Sequence, residues 1–191
     1  MAIKDDATLV IGAGNFYTAP TGTVVPTVLN VAPITPWDEV GHTSLADVFA
    51  WAVDGGEATI LGTLQNKQLR TTYSVRTETF TLVVQQWDES ALKKFFGTNA
   101  TTELVGTVPD QIKWFHVPAS NAAPFVGAFL GIFIDGANYF GIYAPKAEVF
   151  RGDVPTVASD GLATLPLKIT PLVNGTNDYA YMITPLGAVE A

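Results

Sequence analysis

Arg76-Thr77-Glu78-Thr79-Phe80-Thr81-Leu82-Val83-Val84 alternates along its whole length. Arg76, Glu78, Phe80, Leu82 and Val84 fall on one side, with Val75, Thr77, Thr79, Thr81, Val83 and Gln85 on the other, and a period of two is the mark of a β-strand. The apolar end at Leu82 to Val84 reads as passing through a core, while the threonine side suits water or another subunit. A second apolar-rich run begins at Glu57, and Asn66-Lys67-Gln68 between the runs has the length of a hairpin turn with a third loop residue. The threonine, glycine and proline punctuation elsewhere extends the mainly β reading to the rest of the chain.

Working outward, the period changes once. Asp88 can cap a helix, Glu89 adds negative charge to the first turn, and Leu92, Phe95 and Phe96 form an apolar stripe. Lys93 and Lys94 lie near the C-terminal end, and Gly97 stops the run. One helix is therefore predicted over about 88–97. A strand is expected at Gln111 to Val117, then a hairpin of Phe125 to Ile134 and Tyr139 to Ala144 turning at Asp135-Gly136-Ala137-Asn138, then strands at Lys146 to Arg151 and Leu162 to Leu172. Residues 1–40 differ. Pro20, Pro26, Pro33 and Pro36 fix their own dihedrals and push their neighbours toward extended backbone, which predicts an N-terminal arm with short strands, the best at Thr8 to Ile11. The main domain is then 41–191.

Only 15% of the 191 residues are charged while 48% are hydrophobic, so a lone copy has too little charge to cover its apolar surface, and part of that surface is expected to be buried against other subunits. Gly131, Asp135, Gly136 and Asn138 interrupt the most apolar stretch, Phe125 to Tyr143, so no membrane span is predicted. Met1 to Asp6 lacks the apolar run of a signal peptide, which predicts a protein retained in the cytosol. There is no cysteine, which removes disulfides and sulfur-ligated metals. A formal charge of −8 repels nucleic acid and argues against a DNA reader.

No coherent set of acid, base and nucleophile emerges. Gly12-Ala13-Gly14 opens like a dinucleotide fingerprint, but Tyr17 stands where the third glycine belongs and no helix start follows. His42 and His116 lack partners at zinc-ligand spacing, and Ser44 near His42 lacks a nucleophile elbow. The acid pairs Asp5-Asp6, Asp38-Glu39 and Asp88-Glu89 read as solvated faces and a helix start. Trp37, Trp51, Trp87 and Trp114 read as core or interface.

Leu9-Val10-Ile11-Gly12-Ala13-Gly14-Asn15-Phe16-Tyr17-Thr18-Ala19-Pro20 carries a likeness, as does Trp37-Asp38-Glu39-Val40-Gly41-His42-Thr43-Ser44. With the strand and helix from Thr79 to Gly97, Pro145-Lys146-Ala147-Glu148-Val149 and Asp160-Gly161-Leu162, this order resembles the major tail protein, or tail tube protein, of long-tailed bacteriophages, particularly those of actinobacterial hosts.

The resemblance implies a β-sandwich or half-barrel with one flanking helix and an extended N-terminal arm, in a virion structural protein made in the host bacterial cytoplasm. It implies no enzyme activity, cofactor or metal, and no membrane insertion by this chain. Six copies close a ring, rings stack, and double-stranded DNA passes through the channel without specific binding. Tape measure, tail terminator and distal tail proteins are the implied partners. A ring then carries about −48, and acids lining the channel would repel phosphate. Lumen candidates are Glu57, Gln65, Arg70, Glu78 and Asp135; arm candidates for inter-subunit contact are Phe16, Tyr17, Pro20, Pro26 and Trp37. The alternatives are a head decoration or tail-completion protein and, from another class, a carbohydrate-binding β-sandwich module.

Overall fold

A computed structural model describes residues 10–47, 49–175 and 178–183. Along the chain come β1 (Ala13–Ala19), β2 (Asp38–Glu39), β3 (Ala50–Gly55), β4 (Ala58–Leu61), β5 (Arg70–Tyr73) and β6 (Arg76–Val84). Helix α1 (Glu89–Phe96) follows, then β7 (Thr101–Val105), β8 (Ile112–His116), β9 (Phe125–Asp135), β10 (Asn138–Arg151), β11 (Leu165–Pro171) and β12 (Tyr181–Ile183). The class is mainly β with one helix among the described residues, as the alternation predicts.

The main sheet is antiparallel in the order β2-β1-β9-β10-β11-β6-β3, with β12 beside β10. Phe125, Val149, Ile169, Phe80 and Trp51 form one row across five strands. The first four turn their side chains to the core, while Trp51 lies at the half-exposed edge. The register irregularity between Ala144 and Ala147 lets β10 exchange β12 for β11 as its second neighbour, and the two strands expected on either side of Pro145 are this one bent strand. Beyond β2 the chain returns to β6. Ser44 N–H donates to Val83 O at 2.8 Å and Gln85 N–H to His42 O at 2.7 Å, so the sheet curls toward closure within the protomer.

A large apolar cluster fills the curl, with Phe16, Phe80, Phe129 and Leu82 each almost wholly buried. Burying a side chain of this size stabilises by about 1.5–3 kcal/mol. Helix α1 closes one side of the cluster. Asp88 Oδ1 accepts from Ala91 N–H at 2.8 Å, Gly97 N–H donates to Lys93 O at 2.9 Å, and Ala91 and Phe95 enter the core. A second cluster gathers Tyr17, Trp37, Leu130, Ile132 and Tyr143.

Residues 1–9 of the segment read as an arm, and with them Thr8 and Leu9 of the strand expected at Thr8 to Ile11, lie outside the described residues. Val10 and Ile11 precede β1, which is a full member of the sheet, paired to β9 from Ala13↔Ile134 to Ala19↔Ala128. Residues 20–37 are a loop folded back on that sheet. Gly22 N–H donates to Pro145 O at 2.8 Å, and Tyr143 Oη donates to Thr23 O at 2.7 Å. Phe16, Tyr17 and Trp37, read as arm contacts, are therefore core residues of their own protomer, because β1 is covered on both faces, with Phe16 in the large cluster and Tyr17 in the second, and Trp37 packs T-shaped on Tyr143. Pro20 is exposed and Pro26 half-buried.

Candidate assembly surfaces

The hairpin read from Glu57 onward begins seven residues earlier. β3 pairs with β6, β4 pairs with β5, and between them Gly56-Glu57 faces Ser74-Val75, so one long two-stranded ribbon runs out of the main sheet. Gly55 has φ +82°, and a Cβ there would meet the Val75 carbonyl oxygen, so the crossing from sheet to ribbon needs glycine. At the tip Thr63 N–H donates to Asn66 O and Asn66 N–H to Thr63 Oγ1, which closes the turn.

Beyond this crossing nearly every side chain faces solvent. Leu64 is 97% exposed and Tyr73 73%. With Ile60, Leu61, Leu69 and Val75 also exposed, the ribbon presents apolar side chains that its own protomer does not cover. The outer edge of β3 is likewise unpaired among the described residues.

Glu78 anchors the ribbon's root. Its carboxylate accepts from Trp51 Nε1 at 2.8 Å and meets the Arg76 guanidinium at 2.6 Å, and it also takes a hydrogen bond from Tyr179. Burial pushes the carboxyl up, but the bonds from Tyr179, Arg76 and Trp51 outweigh it and hold the group below its ordinary value.

A second ribbon, β7–β8, stands on α1. Glu89 receives Lys93 at 2.8 Å from its own helix and Lys113 from β8, and Phe115 packs on Phe96 with ring centroids 6.1 Å apart. The hydrogen bonds from Lys113 and Lys93 hold the Glu89 carboxyl down at about 2. The opposite face carries exposed Ile112 and Trp114, with His116 Nε2 3.3 Å from Glu103.

The five lumen candidates do not form one site. Glu57, Gln65 and Arg70 sit exposed on the ribbon, and Glu78 is nearly covered at its root. Asp135 ends β9, where its carboxylate accepts from Val10 N–H at 3.1 Å.

Comparison with known proteins decides what these surfaces belong to. Residues 1–188 match the family of phage tail tube proteins. The chain belongs to that family. It is 31% identical over 189 residues to the major tail protein Gp23 of Mycobacterium phage D29, covering 90% of this chain and 88% of that protein. To the major tail protein Gp23 of Mycobacterium phage L5 it is 32% identical over 187 residues, with the same coverage. This tail tube protein is thus a structural part of the virion tail, and its relatives are structural proteins, not enzymes.

In a tail tube protein the residues first weighed for chemistry take structural places. Gly12 N–H donates to Ile134 O at 2.9 Å and a strand follows Gly14 where a phosphate site would need a helix. The two N-terminal stretches that carry the likeness meet along a groove of about 340 Å³ lined by Gly12 to Asn15 and Gly41 to Leu45. There Ser44 Oγ accepts from Asp47 N–H at 3.2 Å, capping a turn. Among the described residues no three His, Asp or Glu side chains gather as metal ligands, and no helix is long and apolar enough to cross a membrane.

The hairpin around Asn66 to Gln68 is present as expected, but β3 gave no signal of its own and the ribbon's uncovered apolar surface was not legible, because these strands do not alternate. β3 and β4 are exposed on both faces, so apolar residues fall on either side and the period of two disappears.

Proposed function

We propose that this tail tube protein assembles into rings of six that stack into the tail tube, the conduit through which double-stranded DNA is delivered to the host. One observation carries the reading: the β4–β5 ribbon holds an apolar surface clear of its own protomer, ending in a Leu64 that is 97% exposed. Such a surface is satisfied only by another molecule, and repeated copies supply it without a second gene product. The unpaired edge of β3 supports closure into a ring, since heterologous contacts that close leave no free edge.

The curled sheet modifies one part of this picture. The barrel-like core is largely complete alone, so the incomplete surfaces are the two ribbons, the β3 edge and the loop 20–36, where Val24, Val31 and Ile34 are exposed. Pro20 and Pro26 give that loop its extended course and remain candidates for contact with a neighbour. At the tube ends, tape measure, tail terminator and distal tail proteins are the proposed partners, and synthesis takes place in the host cytoplasm.

Electron microscopy of the purified protein tests the reading. Tubes of uniform width are the expected result. Single rings or trimers that never stack would favour a head decoration or tail-completion role, and a monodisperse monomer at high concentration would overturn self-assembly.

A further inference from the structure

From Val10 to Trp37 the chain holds no charged residue, and then Asp38 and Glu39 come together on β2, both exposed. The loop 20–37 within that stretch surrounds an open cup of about 570 Å³ lined by Val24, Pro26, Val28, Val31, Ile34 and Pro36. Val24, Val28, Val31 and Ile34 are all exposed, so the described residues of the same protomer leave this apolar lining uncovered. The ribbon differs in charge. From Ala58 to Tyr73 it carries Lys67 and Arg70 and no acid, on a chain whose formal charge is −8. Lys67 shares the tip with Leu64, and Arg70 opens β5.

We infer that the tip of the β4–β5 ribbon docks in the loop 20–37 cup of a second copy, with Leu64 inside the cup and Lys67 and Arg70 at its acidic rim. The inference rests on the tube reading and names the surface that receives the ribbon. Leu64 is 97% exposed and no ribbon residue lines the cup, so a protomer does not fill its own cup. At about 3.3 Å per residue, the extended ribbon carries its tip roughly 20 Å out from the crossing at Gly55, far enough to meet a neighbour. Knob and cup are different patches of one chain. Each copy therefore gives one and receives one, and the contact repeats through the assembly.

Charge favours this pairing over the other surfaces. Copies at −8 repel one another, and the repulsion is least where one of them presents cations. At the centre of the contact an apolar side chain meets valine, isoleucine and proline, so no charged group loses its water there. The cations stay at the wet rim beside Asp38 and Glu39, where opposite charge steers the approach and fixes the register. The groove lined by Arg76, Glu78 and Tyr179 would instead bury an ion pair under the same leucine. The β7–β8 face sets Glu103 and His116 beside Trp114, which makes it a poorer seat for an apolar knob.

The absence of cysteine makes the test direct. Gln65→Cys and Thr27→Cys replace exposed polar residues beside Leu64 and in the cup, so neither removes an apolar contact. Chains of the two kinds are mixed, assembled and oxidised with copper phenanthroline after tubes are confirmed by microscopy. Failure of the native chain to form tubes counts against the tube reading and not against this one. The expected outcome is a disulfide joining one chain of each kind, absent from tubes of either variant alone. Mixed tubes without that disulfide overturn the proposal, as do disulfides that form equally in single-variant tubes. Where a variant blocks growth, the same pair is read in tubes diluted with native chain. A charge exchange gives the second readout. Lys67→Glu should raise several-fold the concentration at which tubes appear, and adding Glu39→Lys to the same chain should bring it back toward the native value. No effect of the first change, or a further loss on adding the second, would overturn docking at this rim.

Discussion

The indole of Trp51 donates from Nε1 to Glu78 Oε2 at 2.8 Å, a diagonal contact across the β3–β6 pair at the point where the ribbon leaves the sheet. Arg76 and Tyr179 converge on the same carboxylate, so β3, β6 and the stretch before β12 are tied at one acceptor. Removing it in Glu78→Ala leaves a half-buried indole and a phenol without their partner, which costs about 1–3 kcal/mol. Glu78→Gln keeps an acceptor and is expected to cost less. Because the native carboxyl is held below its ordinary value of 4.5, its contribution is complete above that value and disappears as pH falls through the lowered one. Urea unfolding of the protomer checks both points, and equal losses for the two variants would remove the latch role.

Glu89 ties two elements at the surface. Its carboxyl titrates at about 2 because Lys113 and Lys93 bond to the charged form, so the tie between α1 and β8 persists through acidic conditions and opens only near that value. Lys113→Ala should raise the Glu89 midpoint toward the ordinary carboxylate range. Carboxyl chemical shifts followed by NMR across pH 1.5–6 read this directly, on the order of the range that separates the two values. A native midpoint already in the ordinary range would disprove the tie.

Gly55 sits at the ribbon's crossing with φ +82°. Alanine at this position must adopt a backbone that side chains disfavour and must also move the Val75 carbonyl, so Gly55→Ala is expected to destabilise by more than about 1 kcal/mol. The damage should concentrate in the ribbon. Hydrogen exchange is expected to quicken at 57–75 while β9 and β10 stay protected, and tube yield should fall. Uniform exchange across the chain would mean the crossing is not a local joint.

Phe16 is 1% exposed, stacks on Phe49 and Phe129 and meets Phe133 edge to face, with ring centroids 5.6–6.2 Å apart. Phe16→Ala should therefore cost about 3–5 kcal/mol, as for other buried aromatic truncations. Deleting residues 1–40 removes β1 and β2 with it and is expected to leave an unfolded chain. Thermal unfolding of the point variant decides. A loss below about 1 kcal/mol would return this strand to the role of a detachable arm.

How much was legible depended on periodicity. The alternation of β6, the cap and stripe of α1 and the Asp135 to Asn138 turn all stand in the sequence as local chemistry, and the structure places them within a residue or two of the reading. β1 was hidden for the opposite reason. Asn15-Phe16-Tyr17-Thr18-Ala19 puts aromatics on both faces because the strand is covered on both, and the prolines after Ala19 made it look like part of an extended tail. β7 carries no strand signal, because its short, mostly exposed course shows no apolar face. The candidate lumen residues were chosen by charge on hairpins, and charge alone does not report which sheet face has a core behind it. That requires the pairing of β6 with both β11 and β3, a long-range fact.

Leu64 separates folding from assembly more sharply than any core residue. At 97% exposure it contributes almost nothing to the protomer, so Leu64→Ser should leave unfolding unchanged within about 0.5 kcal/mol. If the ribbon tip buries this side chain against a neighbouring copy, the same change removes about 1.5–3 kcal/mol of apolar burial at every contact. Because every copy in an assembly would repeat that contact, a modest loss per copy multiplies into a steep loss of tube growth, seen as a rise in the protein concentration at which tubes first appear by light scattering. Leu64→Met, which preserves volume and apolarity, should restore growth. Unchanged assembly in Leu64→Ser would show that the tip stays in solvent, and the unsatisfied apolar surface would then have to find its partner along the body of the ribbon at Ile60, Leu61, Leu69 and Tyr73.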